Sequence, residues 1–113
     1  MKARDIITYG NDTPEIFHIG EYTFNAPCQT LQFQQQEPTK ITATDAALLE
    51  MICRHKNSIL ERKHALERIW HEDNYFTARS MDVFITKLRK YLLHDPNVKI
   101  INVRGRGHKL MVK

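Results

Sequence analysis

The first third of the chain alternates short apolar segments with turn residues. Four such segments lie at residues 16–19, 22–24, 30–34 and 39–41, and the turns between them include Gly20-Glu21 and Asn25-Ala26-Pro27. Apolar alternation over a few residues between turn signals is typical of β-strands joined as hairpins. The pattern therefore predicts a small, four-stranded antiparallel sheet.

Two helical patterns follow these strands. Thr42, with Asp45 three residues later, resembles a capping box, and apolar residues then recur at helical spacing as far as about residue 55. They are Ala46, Leu48, Leu49, Ile52 and Cys53. A second, shorter helix is predicted over about residues 62–70. Its predicted buried stripe is Ala65, Leu66, Ile69 and Trp70.

The third predicted helix is the longest, from about Thr77 to about Leu93, where Asp95-Pro96 ends it. At about 100° per residue, one narrow arc must face the core, since it collects only apolar side chains. These are Met81, Ile85, Leu88 and Leu92. The opposite arc holds Arg79, Val83, Thr86, Lys87 and Lys90.

The chain ends in a predicted β-hairpin. Segments 98–103 and 110–112 flank Gly105-Arg106-Gly107, where the glycines permit a tight turn that places Arg104 and Arg106 at its tip. The predicted fold class is therefore α+β: a winged helix-turn-helix with an N-terminal four-stranded antiparallel sheet, three helices and a C-terminal β-hairpin wing. We expect one domain over residues 14–113, preceded by a linker or tail at residues 1–13.

Positive charge is concentrated in the last third of the chain. From residue 79 onward there are nine Lys or Arg and two Asp, a net charge of +7, whereas the first 78 residues carry −3. This asymmetry indicates a polyanion bound on one face, because the net charge of the whole chain is only +4.

Composition excludes several other classes of protein. A chain of 113 residues with 42% hydrophobic content can bury a core without metal or disulfide support. Cys28 and Cys53 are too few for a disulfide framework or a zinc site, and the six histidines show no ligand spacing, so we expect no metal or cofactor. No run of about 18 apolar residues and no signal peptide is present, which predicts a cytoplasmic protein without membrane contact.

Residues 41–112 resemble the C-terminal effector domain of OmpR/PhoB-type response regulators. The matching segments are ITATD at 41–45, ALERIW at 65–70, ARSMDVFITKLRKYL at 78–92 and INVRGRGHKL at 101–110. The preceding four-stranded sheet is also typical of that family. The sequence departs from the family pattern at Phe84, Thr86 and His108, where the family often has a polar residue, an arginine and an aromatic residue.

The resemblance implies a transcription regulator of a two-component system that binds duplex DNA at tandem half-sites. It also implies a phosphorylatable receiver domain N-terminal to this one, for which the chain has no room. We therefore expect an isolated effector fragment with part of its linker, and no enzyme, since no nucleophile elbow, phosphate loop or paired carboxylates are found. The alternative is a winged-helix module that docks on a protein without specific DNA binding.

The third helix is the expected reader of the major groove, where every base pair shows a distinct pattern of donors and acceptors. Lys87 is the predicted base reader. Val83 is expected to touch a thymine methyl group or, alternatively, to pack beneath the second helix or the loop that follows it. Arg79 and Ser80 at the helix start, with Thr86 and Lys90, suit phosphates or bases.

The wing and the end of the second helix supply the other expected contacts. Arg104 and Arg106 are candidates for the minor groove, where a narrow A·T tract attracts guanidinium groups; Arg104 is favoured by the resemblance, and Arg106 has a phosphate contact as its alternative. Trp70 is expected either to donate its indole N–H to a phosphate or to pack in the core.

An acidic and aromatic loop separates the second and third predicted helices. It consists of His71, Glu72, Asp73, Asn74, Tyr75 and Phe76. In related regulators this loop touches RNA polymerase, so the resemblance suggests a protein contact here, and a plain connector is the alternative.

Overall fold

Four short strands form the first sheet of the computed structural model, which describes residues 16–113. They are β1 (Ile16–Ile19), β2 (Tyr22–Asn25), β3 (Thr30–Phe33) and β4 (Thr39–Lys40), each antiparallel to the next. The predicted four-stranded sheet is confirmed. The tail predicted at residues 1–13 lies outside the described residues.

Helix α1 (Ala43–Arg54) begins at the predicted capping box. The Thr42 hydroxyl accepts the Asp45 N–H at 3.1 Å, and the Asp45 carboxylate accepts the Thr42 N–H at 3.2 Å. Each bond satisfies a backbone donor that the first turn of a helix leaves without an intrahelical partner. The five predicted apolar residues of α1 are all buried.

The second helix begins as α2 (Arg62–Ala65) and continues as a π-helical turn at Leu66–Trp70. The wider π turn changes the direction of the side chains that follow it. Ala65 and Leu66 are fully buried as predicted, but Ile69 and Trp70 are only half-buried. The chain then leaves the helix through His71, whose φ of 65° is left-handed.

Helix α3 (Tyr75–Tyr91) starts two residues before the predicted position. Its cap is Asn74, whose side chain accepts the Thr77 N–H at 3.0 Å while the Thr77 hydroxyl accepts the Asn74 N–H at 3.0 Å. The prediction that Tyr75 and Phe76 belong to the loop was therefore wrong. The predicted core arc is confirmed, with no member more than 2% exposed: Met81, Ile85, Leu88 and Leu92.

The wing is part of a second, three-stranded sheet. Strands β5 (Ile59–Glu61), β6 (Val98–Val103) and β7 (Gly107–Val112) are arranged in the order β5-β7-β6, with all pairs antiparallel. The hairpin of β6 and β7 is the predicted one. Strand β5 was not predicted, because three residues are too few to show alternation and the strand exists through its pairing with β7.

One core lies between the two sheets and the helices. Its largest buried side chains come from every layer, including Phe24 of β2, Leu49 of α1, Leu88 of α3 and Leu110 of β7. The predicted fold class is confirmed. Among residues 16–113 no helix is long and apolar enough to cross a bilayer.

Asp95 joins the first sheet to the end of α3. Its buried carboxylate accepts the Glu21 N–H at 2.8 Å and the Asn97 N–H at 2.9 Å. The Tyr22 hydroxyl accepts the His94 N–H at 2.9 Å beside it. Gly20 makes this approach possible, since its φ is +57° and any side chain would overlap Asp95. The sheet is thereby attached to the segment between α3 and the wing.

The two glycines of the wing turn should respond differently to substitution by alanine. A Cβ on Gly107 would overlap the Leu60 carbonyl oxygen and lie 2.8 Å from the Arg62 backbone nitrogen, whereas a Cβ on Gly105 meets nothing within 4 Å. Gly105→Ala should cost about 1 to 2 kcal/mol through its φ of +76° alone. Gly107→Ala should cost about 3 kcal/mol, since it separates β5 from β7. Urea denaturation measures both, and equal losses would contradict this packing.

Candidate nucleic-acid interface

The outer face of α3 presents several predicted site residues to solvent. Arg79, Thr86 and Lys90 are exposed, and Ser80 is half-buried. Val83 is 60% exposed, so the alternative in which it packs beneath the second helix is wrong. An apolar side chain on an otherwise polar helix face is available for contact with another molecule.

Two exposed aromatic rings extend this face toward the helix start. Phe76 is 77% exposed and precedes Val83 by seven residues, which places both on the same side of the helix. Tyr75 is 66% exposed, and the Arg79 guanidinium lies over its ring, with a hydrogen bond of 3.1 Å to its hydroxyl. The sequence analysis missed both rings as members of the helix face. The available signal was Asn74, a strong N-cap residue.

Lys87 does not point freely outward, which corrects its predicted orientation. Its ammonium lies 3.2 Å from the carboxylate of the fully buried Asp45 and 4.9 Å from the centroid of the Phe84 ring. The Tyr91 hydroxyl also lies 3.3 Å from this carboxylate. Lys87 is at the margin of the outer arc, and its long stem reaches α1 because a buried carboxylate requires a compensating cation.

Trp70 packs on α3. Its ring centroid lies 5.8 Å from that of Phe84, and both side chains are partly buried against the core. Phe84 therefore sits between Trp70 and Lys87, where the family often has a polar residue.

Arg62 neutralises a carboxylate on the outer half of α3. Its guanidinium donates to Asp82 at 2.8 Å and to the Ala78 carbonyl oxygen at 3.2 Å. The Asp82 side chain is 59% exposed. Without Arg62, this charge would repel an anion that approaches the helix.

The two arginines of the wing turn are in different situations. Arg104 is exposed and has no hydrogen-bond or ion-pair partner among residues 16–113. Arg106 forms an ion pair with Glu61 of β5, and its carbonyl oxygen accepts the Arg62 N–H at 2.8 Å. Arg104 is thus the arginine of the wing turn that is available to a ligand, whereas Arg106 joins the turn to β5.

Arg89, which the sequence analysis did not select, links α3 to the wing. Its Nε donates to the Ile100 carbonyl oxygen at 3.0 Å and its Nη2 donates to Asn102 Oδ1 at 2.9 Å. Helical periodicity could not reveal this role, because the acceptors lie 11 and 13 residues away on a different element.

His108 lies buried in β7, only 3% exposed and directly opposite Asn102 in the register with β6. Burial, together with the nearby Arg62 and Arg89 guanidinium groups, lowers its pKa to about 4. The imidazole is therefore neutral at pH 7. Among residues 16–113 no group of three His, Cys, Asp or Glu side chains is arranged to hold a metal ion.

Residues 36–110 match the family model described as "Transcriptional regulatory protein, C terminal". The chain belongs to this family. It is the OmpR/PhoB-type winged-helix DNA-binding domain of response regulators, as the sequence motifs indicated.

Similar proteins of known sequence include a transcriptional regulatory protein and a sensory transduction protein. The chain is 46% identical over 101 residues to the transcriptional regulatory protein RprY of Bacteroides fragilis, a match that covers 89% of this chain and 42% of the relative. It is 32% identical over 76 residues to the sensory transduction protein RegX3 of Mycolicibacterium smegmatis, covering 66% of this chain and 33% of the relative. The chain thus spans less than half the length of these relatives.

Solved structures with the same fold include two DNA-binding domains. The domain of CpxR from E. coli has a TM-score of 0.74 at 19% identity, with 86% of this chain and 96% of that chain covered. The domain of RstA from Klebsiella pneumoniae, solved in complex with its RstA box, has a TM-score of 0.72 at 24% identity, with coverages of 87% and 98%. These similarities show the fold.

Lys87→Ala should lower the free energy of unfolding by about 1 to 3 kcal/mol, because Asp45 then stays buried without its cation. Lys90→Ala removes the same charge from the same helix. Because the exposed Lys90 ammonium forms no ion pair or hydrogen bond within residues 16–113, this change should alter stability by less than about 0.5 kcal/mol. Urea denaturation at neutral pH measures the difference. Two equally small effects would show that Lys87 does not stabilise Asp45.

Stability should fall as the pH drops from about 6.5 toward 4 because of His108. The folded protein takes up this proton only near pH 4, whereas the unfolded chain takes it up near 6.5, so acid favours unfolding in this window. The loss should reach about 2 to 3 kcal/mol. His108→Phe should remove it, and the exposed-site control His64→Ala should not. Stability curves for wild type and His108→Phe that run parallel from pH 7 to 4 would contradict this assignment.

Proposed function

We propose that this domain places α3 in the major groove of duplex DNA and the tip of the wing in the adjacent minor groove. The observation that carries the proposal is the division of α3 into two arcs. The side chains of one arc are all buried in the core. The other arc exposes polar and basic side chains together with the apolar side chain of Val83. A helix with such a face fits the major groove, where base pairs are distinguishable.

Different residues of α3 suit different roles in this complex. Arg79 and Lys90 carry exposed cations for phosphates or guanine, Ser80 and Thr86 suit phosphates, and Val83 suits a thymine methyl group. Lys87 is a weaker candidate for base reading than its sequence position suggested. It must leave Asp45 to reach a base, and this exchange reduces the net gain from the new contact.

The wing contributes one principal cation to this interface. The Arg104 guanidinium is exposed at the turn, which suits the negative potential of a narrow minor groove. Arg106 is paired with Glu61 and is better suited to a phosphate near the turn. Trp70 is half-buried against Phe84. Its proposed phosphate contact would be made by the indole N–H from the part of the ring that remains exposed.

We also propose that the domain is the effector of a longer two-component regulator with a phosphorylatable receiver domain. Support comes from the family and from the chain's coverage of only 42% of RprY. Such a protein would act in the cytoplasm, without catalysis, on tandem half-sites about one helical turn apart.

The segment before α3 is the proposed contact for RNA polymerase. Glu72 and Asp73 are exposed there, next to the exposed rings of Tyr75 and Phe76. These rings also support the second candidate function, a module that docks on a protein without specific DNA binding. The first function predicts that the domain binds duplex DNA with an affinity that depends on salt. The second predicts no such binding.

The domain should bind duplex DNA with an affinity that falls steeply with salt. Each phosphate neutralised contributes about −0.9 to the slope of log K against log salt, so the neutralisation of about three or four phosphates by exposed cations of α3 and the wing predicts a slope of roughly −3 to −4. A site selected from a random duplex library serves as ligand. Arg104→Ala should weaken binding about tenfold and reduce the slope by roughly one.

Arg68→Ala is the matched control, because Arg68 lies in the groove between α1 and the second helix. It should leave both the affinity and the slope unchanged. No selection of any duplex, or a flat salt dependence, would overturn the DNA proposal and favour the docking module.

A further inference from the structure

We propose that Arg89 is a positioning residue: it holds the wing at a fixed angle to α3, so that Arg104 reaches its groove, and it does not itself contact a phosphate. The inference rests on the proposed role of Arg104 in DNA binding. It assigns to a cation of α3 a function that its charge and helix position do not suggest.

The geometry of the guanidinium carries the inference. Nε and Nη2 donate to two acceptors on β6, the Ile100 carbonyl oxygen at 3.0 Å and Asn102 Oδ1 at 2.9 Å. A planar guanidinium makes two such bonds only in one orientation, so the pair fixes the direction of β6 relative to α3. A side chain held in this way would have to break both bonds to reach a phosphate.

The position of Asn102 explains why loss of its hydrogen bond to Arg89 would move Arg104 at the tip of the wing. Asn102 lies two residues before Arg104, and within residues 16–113 β6 is an edge strand whose one neighbour is β7. At the opposite edge of the sheet, β5 pairs with β7, and the ion pair between Arg106 and Glu61 joins the wing turn to β5. Arg89 is the corresponding attachment for β6, and together these contacts hold both strands of the wing.

The charged groups around Arg89 do not draw its guanidinium away from β6. His108 faces Asn102 across the two strands and is neutral at pH 7, so it does not repel the guanidinium. Asp82 is already neutralised by Arg62. Arg89 is therefore directed by its two hydrogen bonds to β6.

Fixing the tip before binding should increase affinity. A wing that moves freely relative to α3 must be ordered when both grooves are occupied at once, and this ordering weakens association. A fixed wing avoids most of that loss. The effect of Arg89 on DNA binding should thus depend entirely on Arg104.

Two variants separate positioning from direct contact. Arg89→Lys keeps the charge but cannot reproduce the paired hydrogen bonds, and Asn102→Ala keeps Arg89 intact but removes one acceptor. If Arg89 positions the wing, each should weaken DNA binding about tenfold, and the double variant should be no weaker than either alone. If Arg89 contacts a phosphate, Arg89→Lys should bind almost as wild type does.

A double-mutant cycle with Arg104→Ala gives the decisive comparison on DNA. In the Arg104→Ala background, Arg89→Lys and Asn102→Ala should each change affinity by less than about twofold and leave the salt slope unchanged. Losses of about tenfold in both backgrounds would overturn the proposal, because additive losses mean independent contacts with DNA.

Hydrogen exchange without DNA tests the attachment by itself. The amides of β6 and of the wing turn should exchange about tenfold faster in Arg89→Lys and in Asn102→Ala, while those of the first sheet keep their wild-type rates. Lys99→Ala, an exposed cation on the same strand, is the control and should change nothing. Unchanged exchange in both variants would overturn the proposal.

The two experiments also distinguish the failure of this inference from the failure of the proposed function. If Arg104→Ala binds DNA as well as wild type does, the minor-groove role of Arg104 is wrong, and so is the positioning role built on it, whatever the exchange rates are. If Arg104→Ala weakens binding while Arg89→Lys does not, only the positioning role is wrong.

Discussion

The burial of one arc of α3 is the contact on which the rest of the structure depends. Met81, Ile85 and Leu88 are buried in the core, where α3 packs on α1, the end of the second helix and β6. Truncating one such side chain costs about 2 to 5 kcal/mol, so the helix has no freedom to rotate about its axis. With the inner arc fixed, the outer arc is fixed as well, and Val83 and Lys90 are presented to solvent in one defined orientation.

Positive charge in this domain serves two purposes. Lys87, Arg62 and Arg89 compensate a buried carboxylate, neutralise Asp82 and connect α3 to β6, respectively. The cations on the outer face of α3 and at the wing tip, by contrast, are exposed. Cations of the first kind hold elements in place, and those of the second kind are available to a polyanion. The net charge of the last third of the chain therefore overstates the charge available to DNA.

The joined α3 and wing form a unit that suits simultaneous contact with two grooves. Asp95 attaches the first sheet to the segment that leads from α3 into β6, and Gly107 lets β5 approach β7 closely. The wing is thus fixed at its base, along one side and near its tip. In a DNA-binding domain of this family, such rigidity favours binding, because a preorganised interface loses less conformational entropy when it binds DNA.

Local patterns in the sequence were sufficient for most of the fold. Periodicity located every strand except β5, the helices and the core arc of α3. The Thr42–Asp45 pair located the start of α1. Each of these signals lies within a few residues of chain. Family motifs identified the class of function for the same reason.

Only the tertiary structure decided how individual cations are used. Lys87 pairs with a carboxylate 42 residues earlier, and Arg106 pairs with Glu61 of a strand that has no signal of its own. A long, flexible side chain takes its partner from whatever packing brings near, and helix position alone does not determine that partner. The sequence therefore determined which face carries charge, whereas the packing of distant elements determined which of those charges remain free.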